Sequence, residues 1–195
     1  MQYNITVVDW DKKYRNGSYD RSKEPHGLLK RFWHIIPGKT VIDVASGRGR
    51  DAAFLAEKGF TVFGLEKSIE AIYISNATKG GKTKGMSFVR GDAAAMPFKP
   101  NKADCVTVFY FLLRPIVRDI AGMVKKGGIL IYETFLKRQN DIDLHRKGRN
   151  PEYLLEDAEL VGFFRDFEIL FYEEGISASP VRKKATAKFV GRKRC

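Results

Sequence analysis

Apolar and β-branched residues come along this chain in short unbroken runs. Between most of them the apolar positions fall at helical spacing. TVIDVA (40–45) has almost no polar position and reads as a buried strand. RDAAFLAEKG (50–59) follows as a helix, with Gly59 placed to end it in a left-handed cap. TVFGLE (61–66) is a second buried strand, and Ser68 is suited to cap a helix running to about Thr78. MSFVRGD (86–92) and DCVTVFYF (104–111) are the third and fourth strands. Pro115 suits the first turn of a helix in which Leu113, Ile116, Val117, Ile120 and Val124 recur; Lys125 and Lys126 favour its C-terminus and Gly127 ends it. GGILIYETF (127–135) is a fifth strand. Asn150 and Pro151 open a helical segment through Phe164, and FEILFYEEG (167–175) and ATAKFVGRK (185–193) are the last two strands.

Repeated strand–helix–strand units require parallel strands, because each helix carries the chain back across the sheet. The pattern therefore predicts a doubly wound α/β domain, with ligands expected at the carboxyl ends of the strands near the switch in strand order. The chain reads as one domain over 1–195, with a helical cap segment at 1–36 and an α/β core at 37–195.

Composition narrows the classes. A chain of 195 residues that is 44% hydrophobic suits one substantial core and argues against disorder. No run reaches the ~18 apolar residues of a membrane helix, and the acid-bearing start is a poor signal peptide, so a cytoplasmic protein is expected. Cys105 and Cys195 make no disulfide framework, and His26, His34 and His145 are too scattered for a metal site. The net charge of +12 favours anionic partners (nucleic acid, phosphorylated metabolites or an anionic membrane surface) or is simply a solvated surface. Its clusters lie at 137–149, 182–184 and 192–194.

Candidate chemistry starts in VIDVASGRGRD (41–51), where Gly47-x-Gly49-x-x-Ala52 fits a relaxed dinucleotide fingerprint. Glycines let backbone approach a ligand and a helix N-terminus faces it, although a tight turn without a ligand uses the same residues. Glu66 ends the next strand, where an acid accepts ribose hydroxyls. Asp43 and Asp92 end two neighbouring strands. Three acids at one sheet edge suit a ribose, an adenine amino group and a cation, and suit a pyrophosphate poorly because like charges repel.

The succession VIDVASGRGRDAAFLAEKG, VFGLEKS, VRGDAAAMPF, ADCVTVFYFLL and VKKGGILIYETF resembles a class I S-adenosylmethionine-dependent methyltransferase. WDKKYRNGSYD near the start and NPEYLLEDAELVGFFRDFEILFYEEG near the end resemble the tellurite-resistance type of that family. The resemblance implies a Rossmann-like seven-stranded sheet with the last strand inserted antiparallel. It implies S-adenosylmethionine as cofactor. Asp43, Ala45, Ser46, Gly47 and Gly49 would then lie against the methionine part, Glu66 would hold the ribose, and Lys67 would lie beside the adenine. Asp92 and Ala93 would lie at the adenine edge, and Phe109 would reach the cofactor from below. Ala45 stands where the family has its first glycine.

In-line transfer of an activated methyl group needs positioning more than a catalytic triad, and none is found. Substrate contacts are expected from the rim: Trp10, Tyr14, Tyr19, His26, Tyr110, Arg114, Glu133, His145, Arg146 and Arg149. Each has a plainer role open to it, from helix packing at Trp10 and Tyr14 to solvated charge at Arg114 and in the 145–149 loop. A small-molecule methyl acceptor is the first expectation, and an anionic one suits the charge. An RNA methyltransferase is the alternative, although FYFLLRP (109–115) lacks the Asn-Pro-Pro-Tyr-like turn of adenine-amino methyltransferases. A non-catalytic cofactor-binding scaffold rests on Ala45, and an NAD(P) oxidoreductase on the glycines.

Overall fold

A computed structural model describes residues 8–17, 22, 24–78, 83–142, 149–177 and 183–195. Its seven strands are β1 (Thr40–Val44), β2 (Thr61–Glu66), β3 (Met86–Arg90), β4 (Ala103–Phe109), β5 (Val124–Phe135), β6 (Phe167–Ser177) and β7 (Lys184–Lys193). They form one sheet in the order β3-β2-β1-β4-β5-β7-β6. β1 pairs in parallel with β2 and β4, and β2–β3 and β4–β5 are also parallel. β7 runs antiparallel to both β5 and β6. This is the expected doubly wound sheet with its last strand inserted antiparallel. The strand order reverses between β1 and β4, which places the ligand crevice at the carboxyl ends of those two strands.

Side chains alternate across the sheet with the two-residue strand period. Val41, Ile129 and Ile131 enter one apolar layer, with Leu55 of α3 (Arg50–Glu57) and Leu28 and Leu29 of α2 (Gly27–Phe32). Ile42, Val44, Leu130 and Tyr132 enter the other, with Ile120 of α5 (Val117–Met123) and, beyond the short α6 (Gln139–Ile142), Leu160 of α7 (Glu159–Phe163). Covering on both faces explains why β1 is a nearly continuous apolar run. On the sheet's flank, α1 (Trp10–Arg15) packs on α4 (Ile69–Thr78). Asp11 of α1 accepts from the Ser68 hydroxyl at 2.6 Å and from the Glu70 N–H at 3.3 Å, while the Ser68 hydroxyl accepts the Ala71 N–H. Ser68 thus caps α4, as its position predicts.

Two helices end otherwise than their spacing predicts. The helix expected to run past Val124 stops at Met123, and Val124 turns extended and pairs with Ala103 of β4. A fully buried β-branched side chain packs better in the sheet than in a last helical turn. The segment 150–164 is not one helix. It holds a 3-10 turn at Pro151–Tyr153 and then α7, and between them Leu155 bridges Leu136. Arg114 is the reason: its guanidinium donates to the Glu152 and Leu154 carbonyls at 2.7 and 2.8 Å and forks onto Glu159 at 2.6 and 2.8 Å. Carbonyls held this way are lost to a helical ladder.

β1 ends at Val44, one residue earlier than expected, because Ala45 turns into the left-handed region with φ +54°. Gly47 and Gly49 follow at +58° and +68°. The positive φ favours glycine at position 49, where an added Cβ would also lie 2.4 Å from the movable end of Met86 and 2.8 Å from the Phe88 ring. β4 likewise ends at Phe109, and Tyr110 takes φ +53°.

Two outcomes follow for stability. The Arg114 fork holds the Glu159 carboxyl below its ordinary value of 4.5. A depressed carboxylate stabilises the fold above its unfolded value and loses that contribution as pH falls through the folded one. Glu159→Gln should therefore cost ~1.5–3 kcal/mol at neutral pH. The difference from wild type, read from urea midpoints, should shrink below about pH 4.5. Ala45→Gly removes a left-handed penalty of ~1–2 kcal/mol and adds ~0.4–1 kcal/mol of unfolded-chain entropy. Thermal unfolding should show a small net stabilisation, and a clear loss of stability would contradict strain at this residue.

Candidate functional site

The turn after β1 is held by a carboxylate. Glu66, at the end of β2 and 7% exposed, accepts the Gly47 N–H on Oε2 and the Ser68 N–H on Oε1, both at 2.7 Å. Burial raises its pKa, and these donors oppose the shift. Glu66 is therefore no loose rim residue: it braces the glycine turn and the start of α4 together. The Ser46 N–H reaches across to the Leu65 carbonyl at 3.0 Å.

Asp43 lies below this turn, 2% exposed. Its Oδ1 accepts from the Thr107 hydroxyl at 2.7 Å, whereas its Oδ2 is buried with no hydrogen-bond partner. Burial, then the nearby Asp51, push its carboxyl well above the usual range. The cavity beside it is lined by Ala45, Ser46 and Gly47 from the turn, Phe109 and Tyr110 after β4, and Tyr14 and His26 from the N-terminal side. Its volume is about 60 Å³. Small-molecule pockets run to roughly 300–1,000 Å³, so this cavity must widen to admit a nucleoside.

At the mouth, aromatic rings stack in series. His26 lies parallel to Phe109 at 4.1 Å and edge-on to Tyr110 at 5.0 Å. Tyr110 stacks on Phe135 at 4.6 Å, and the Arg149 guanidinium lies 4.0 Å over Phe135. The Tyr110 hydroxyl donates to Glu133 at 3.2 Å and accepts from Lys184 at 3.0 Å. Beneath His26, Asp51 accepts its N–H and pairs with its Nδ1.

The structure brings most of the expected residues to one sheet edge. Asp43, Ala45, Ser46, Gly47, Phe109, Tyr110, His26 and Tyr14 line one cavity. Gly49 starts α3 at its rim. Lys67 and Asp92 lie at the ends of the neighbouring strands, joined at 2.6 Å, and this hydrogen bond holds Asp92 below the usual carboxylate range. Ala93 is buried behind them. Trp10 lies on α1, away from the cavity lining. Arg114 is not brought to the cavity; it is spent on Glu159 and two carbonyls. Tyr19, His145 and Arg146 lie outside the described residues. Sequence reading missed Asp51, Arg50, Phe135 and Lys184. Asp51 looked like an ordinary first-turn acid of a helix, and Lys184 arrives from β7 with no local signal.

Residues 42–132 match the family model described as a methyltransferase domain. Demethylmenaquinone methyltransferase of Renibacterium salmoninarum is 29% identical over 105 residues, which cover 51% of this chain and 43% of that protein. A 23S rRNA (uracil(747)-C(5))-methyltransferase of Pyrococcus abyssi is 28% identical over 139 residues, 70% of this chain and 33% of that protein. The chain thus spans less than half the length of either relative. Among solved structures, TehB from Haemophilus influenzae superposes with a TM-score of 0.74 at 20% identity, covering 94% of this chain and 66% of that one. The family match lies on the glycine turn and the strands that carry the cavity, so residues 42–132 are similar to a methyltransferase domain, and the sheet has the Rossmann-like fold shared with the solved structure.

Proposed function

We propose that this chain transfers a methyl group from S-adenosylmethionine to a small, planar, anionic acceptor. The observation that carries the reading is Asp43 Oδ2, a buried acceptor without a partner facing the glycine-turn cavity. An amino-acid ammonium group satisfies such an atom, and a buried unpaired acceptor is costly otherwise. Ala45, Ser46, Gly47 and Gly49 would lie along the methionine part. Glu66 uses one lone pair on each oxygen for the backbone and keeps others for the ribose hydroxyls. Lys67, Asp92 and Ala93 would bound the adenine, and Phe109 would underlie the cofactor.

When bound, S-adenosylmethionine supplies a methyl group already activated on a sulfonium. The chain's part is to hold the acceptor in line, and positioning of this kind can supply ~7–11 kcal/mol of a barrier. Tyr14, buried on α1, lines the cavity from the N-terminal side. Tyr110 and Phe135 stack on each other and carry Lys184 and Arg149 over their rings, which fixes two positive charges at the mouth. Cations held at the mouth favour an anionic acceptor. The relatives that carry quinone-related names support an acceptor of that kind. The tellurite-resistance type rests on the terminal motifs, so chalcogen oxyanions belong beside quinols in a substrate panel. RNA as acceptor rests on the net charge and on one relative. Placement in the cytoplasm is part of the same proposal and rests on free cysteines.

Incubation with labelled S-adenosylmethionine and a panel of quinols, phenols, thiols, chalcogen oxyanions and RNA should give a methylated planar small molecule. Methylation of RNA alone, with affinity falling steeply as salt rises, would replace this reading by the alternative. Glu66→Ala should weaken cofactor binding by ~1.5–3 kcal/mol, roughly 10- to 150-fold, and should also lower the melting temperature because the Gly47 N–H loses its acceptor. Unchanged affinity in that variant would refute the ribose placement.

A further inference from the structure

The proposed reaction leaves one buried polar cluster without a role: His26 with Asp51 and Arg50. Asp51 is 4% exposed in the first turn of α3, and both of its oxygens are turned on residue 26. Oδ1 accepts the His26 backbone N–H at 2.8 Å, and Oδ2 accepts Nδ1–H at 2.6 Å. Phe109 lies flat against the ring and Tyr110 meets it edge-on. Position, plane and tautomer of the imidazole are therefore all set. The other ring nitrogen, Nε2, lies 2.5 Å from Arg50 Nη2. A guanidinium only donates, so its partner Nε2 carries a lone pair and no proton. An imidazole whose Nδ1–H is held by a buried carboxylate and whose Nε2 is basic is the arrangement of a general base. All three residues line the same cavity as Asp43 and the glycine turn.

Arg50 covers that base. It is the first residue of α3, directly after Gly49. A guanidinium binds a carboxylate through two charge-assisted bonds, each about twice as strong as a neutral one. A carboxylate arriving at the glycine turn therefore competes well for it against a neutral imidazole.

We propose that His26 is the base that takes the acceptor's proton during methyl transfer, that Asp51 is its positioning residue, and that Arg50 covers Nε2 until a carboxylate at the glycine turn draws the guanidinium away. This rests on the cofactor reading above. The acceptor's O–H or S–H bond breaks, with its proton going to His26 Nε2. The acceptor's electron pair forms the new bond to the methyl group, and the pair of the broken carbon–sulfur bond stays on sulfur. His26 then returns the proton to solvent. The device suits an acceptor that is protonated at neutral pH and keeps the base covered while the turn is empty of ligand.

Calorimetric titration of the full chain with S-adenosylhomocysteine, in two buffers of different ionisation enthalpy, counts protons exchanged on binding. The charged and titratable groups around the ring are Asp51, Arg50, Asp43, Arg48, Tyr110 and Tyr14. Asp43 lines the cavity in both proteins, so its own proton exchange enters both counts. Wild type at neutral pH should therefore take up more protons than His26→Gln. In parallel, the His26 Nε2 signal in ¹⁵N spectra of wild type should move toward its protonated position as ligand is added, a readout that does not depend on how the variant folds. Equal proton counts with an unmoved Nε2 signal would overturn the proposal and leave the cofactor reading standing. No binding of the ligand to wild type would overturn the cofactor reading and this proposal with it.

Discussion

Everything at the carboxyl edge of this sheet depends on one buried carboxylate. Glu66 takes two backbone N–H groups from different segments: Gly47 in the turn after β1 and Ser68 at the start of α4. The first bond holds a turn in which three of five residues have positive φ. The second sets the helix end on which α1 is seated through Asp11. Sheet, glycine turn and N-terminal wall are thus fastened at one side chain. Its raised pKa reflects the desolvation that this position costs.

Acidic side chains gather in the crevice of a chain that is basic overall. The protein carries +12 overall, yet Asp43 and Glu66 are buried at strand ends and Asp51 is buried beside them in the first turn of α3. Asp51 and Glu66 both act to raise the pKa of Asp43, with Arg50 opposing them. Confined like charges disfavour a pyrophosphate and favour a cationic ligand. This is the physical argument for a sulfonium nucleoside over a dinucleotide in the same glycine turn. The surface charge bears on what approaches the mouth, where Arg149 and Lys184 sit beside aromatic faces.

How far the fold could be read from the residues depended on whether the deciding force was local. The buried strands were legible because both faces are covered, which turns β1, β2 and β4 into apolar runs. Ser68 was legible as a cap because its hydroxyl acts three residues away. The helix end at Met123 and the break at Leu154–Leu155 were not, because strand pairing decided the first and a guanidinium from residue 114 decided the second. The site divides in the same way. Gly47, Gly49 and Glu66 announce themselves by type and position. Asp51 became more than a helix-dipole acid only when folding brought His26 against it, twenty-five residues away. Lys184 reaches Tyr110 across seventy-four residues, which no local pattern can show.

The most direct test of the central claim, that the glycine turn and its three acids hold a sulfonium nucleoside, is a calorimetric titration of the purified chain with S-adenosylmethionine, S-adenosylhomocysteine and NAD(P) in parallel. The account predicts micromolar binding of both adenosyl ligands and none of the dinucleotides. Binding of a dinucleotide, or of neither adenosyl ligand, would contradict it.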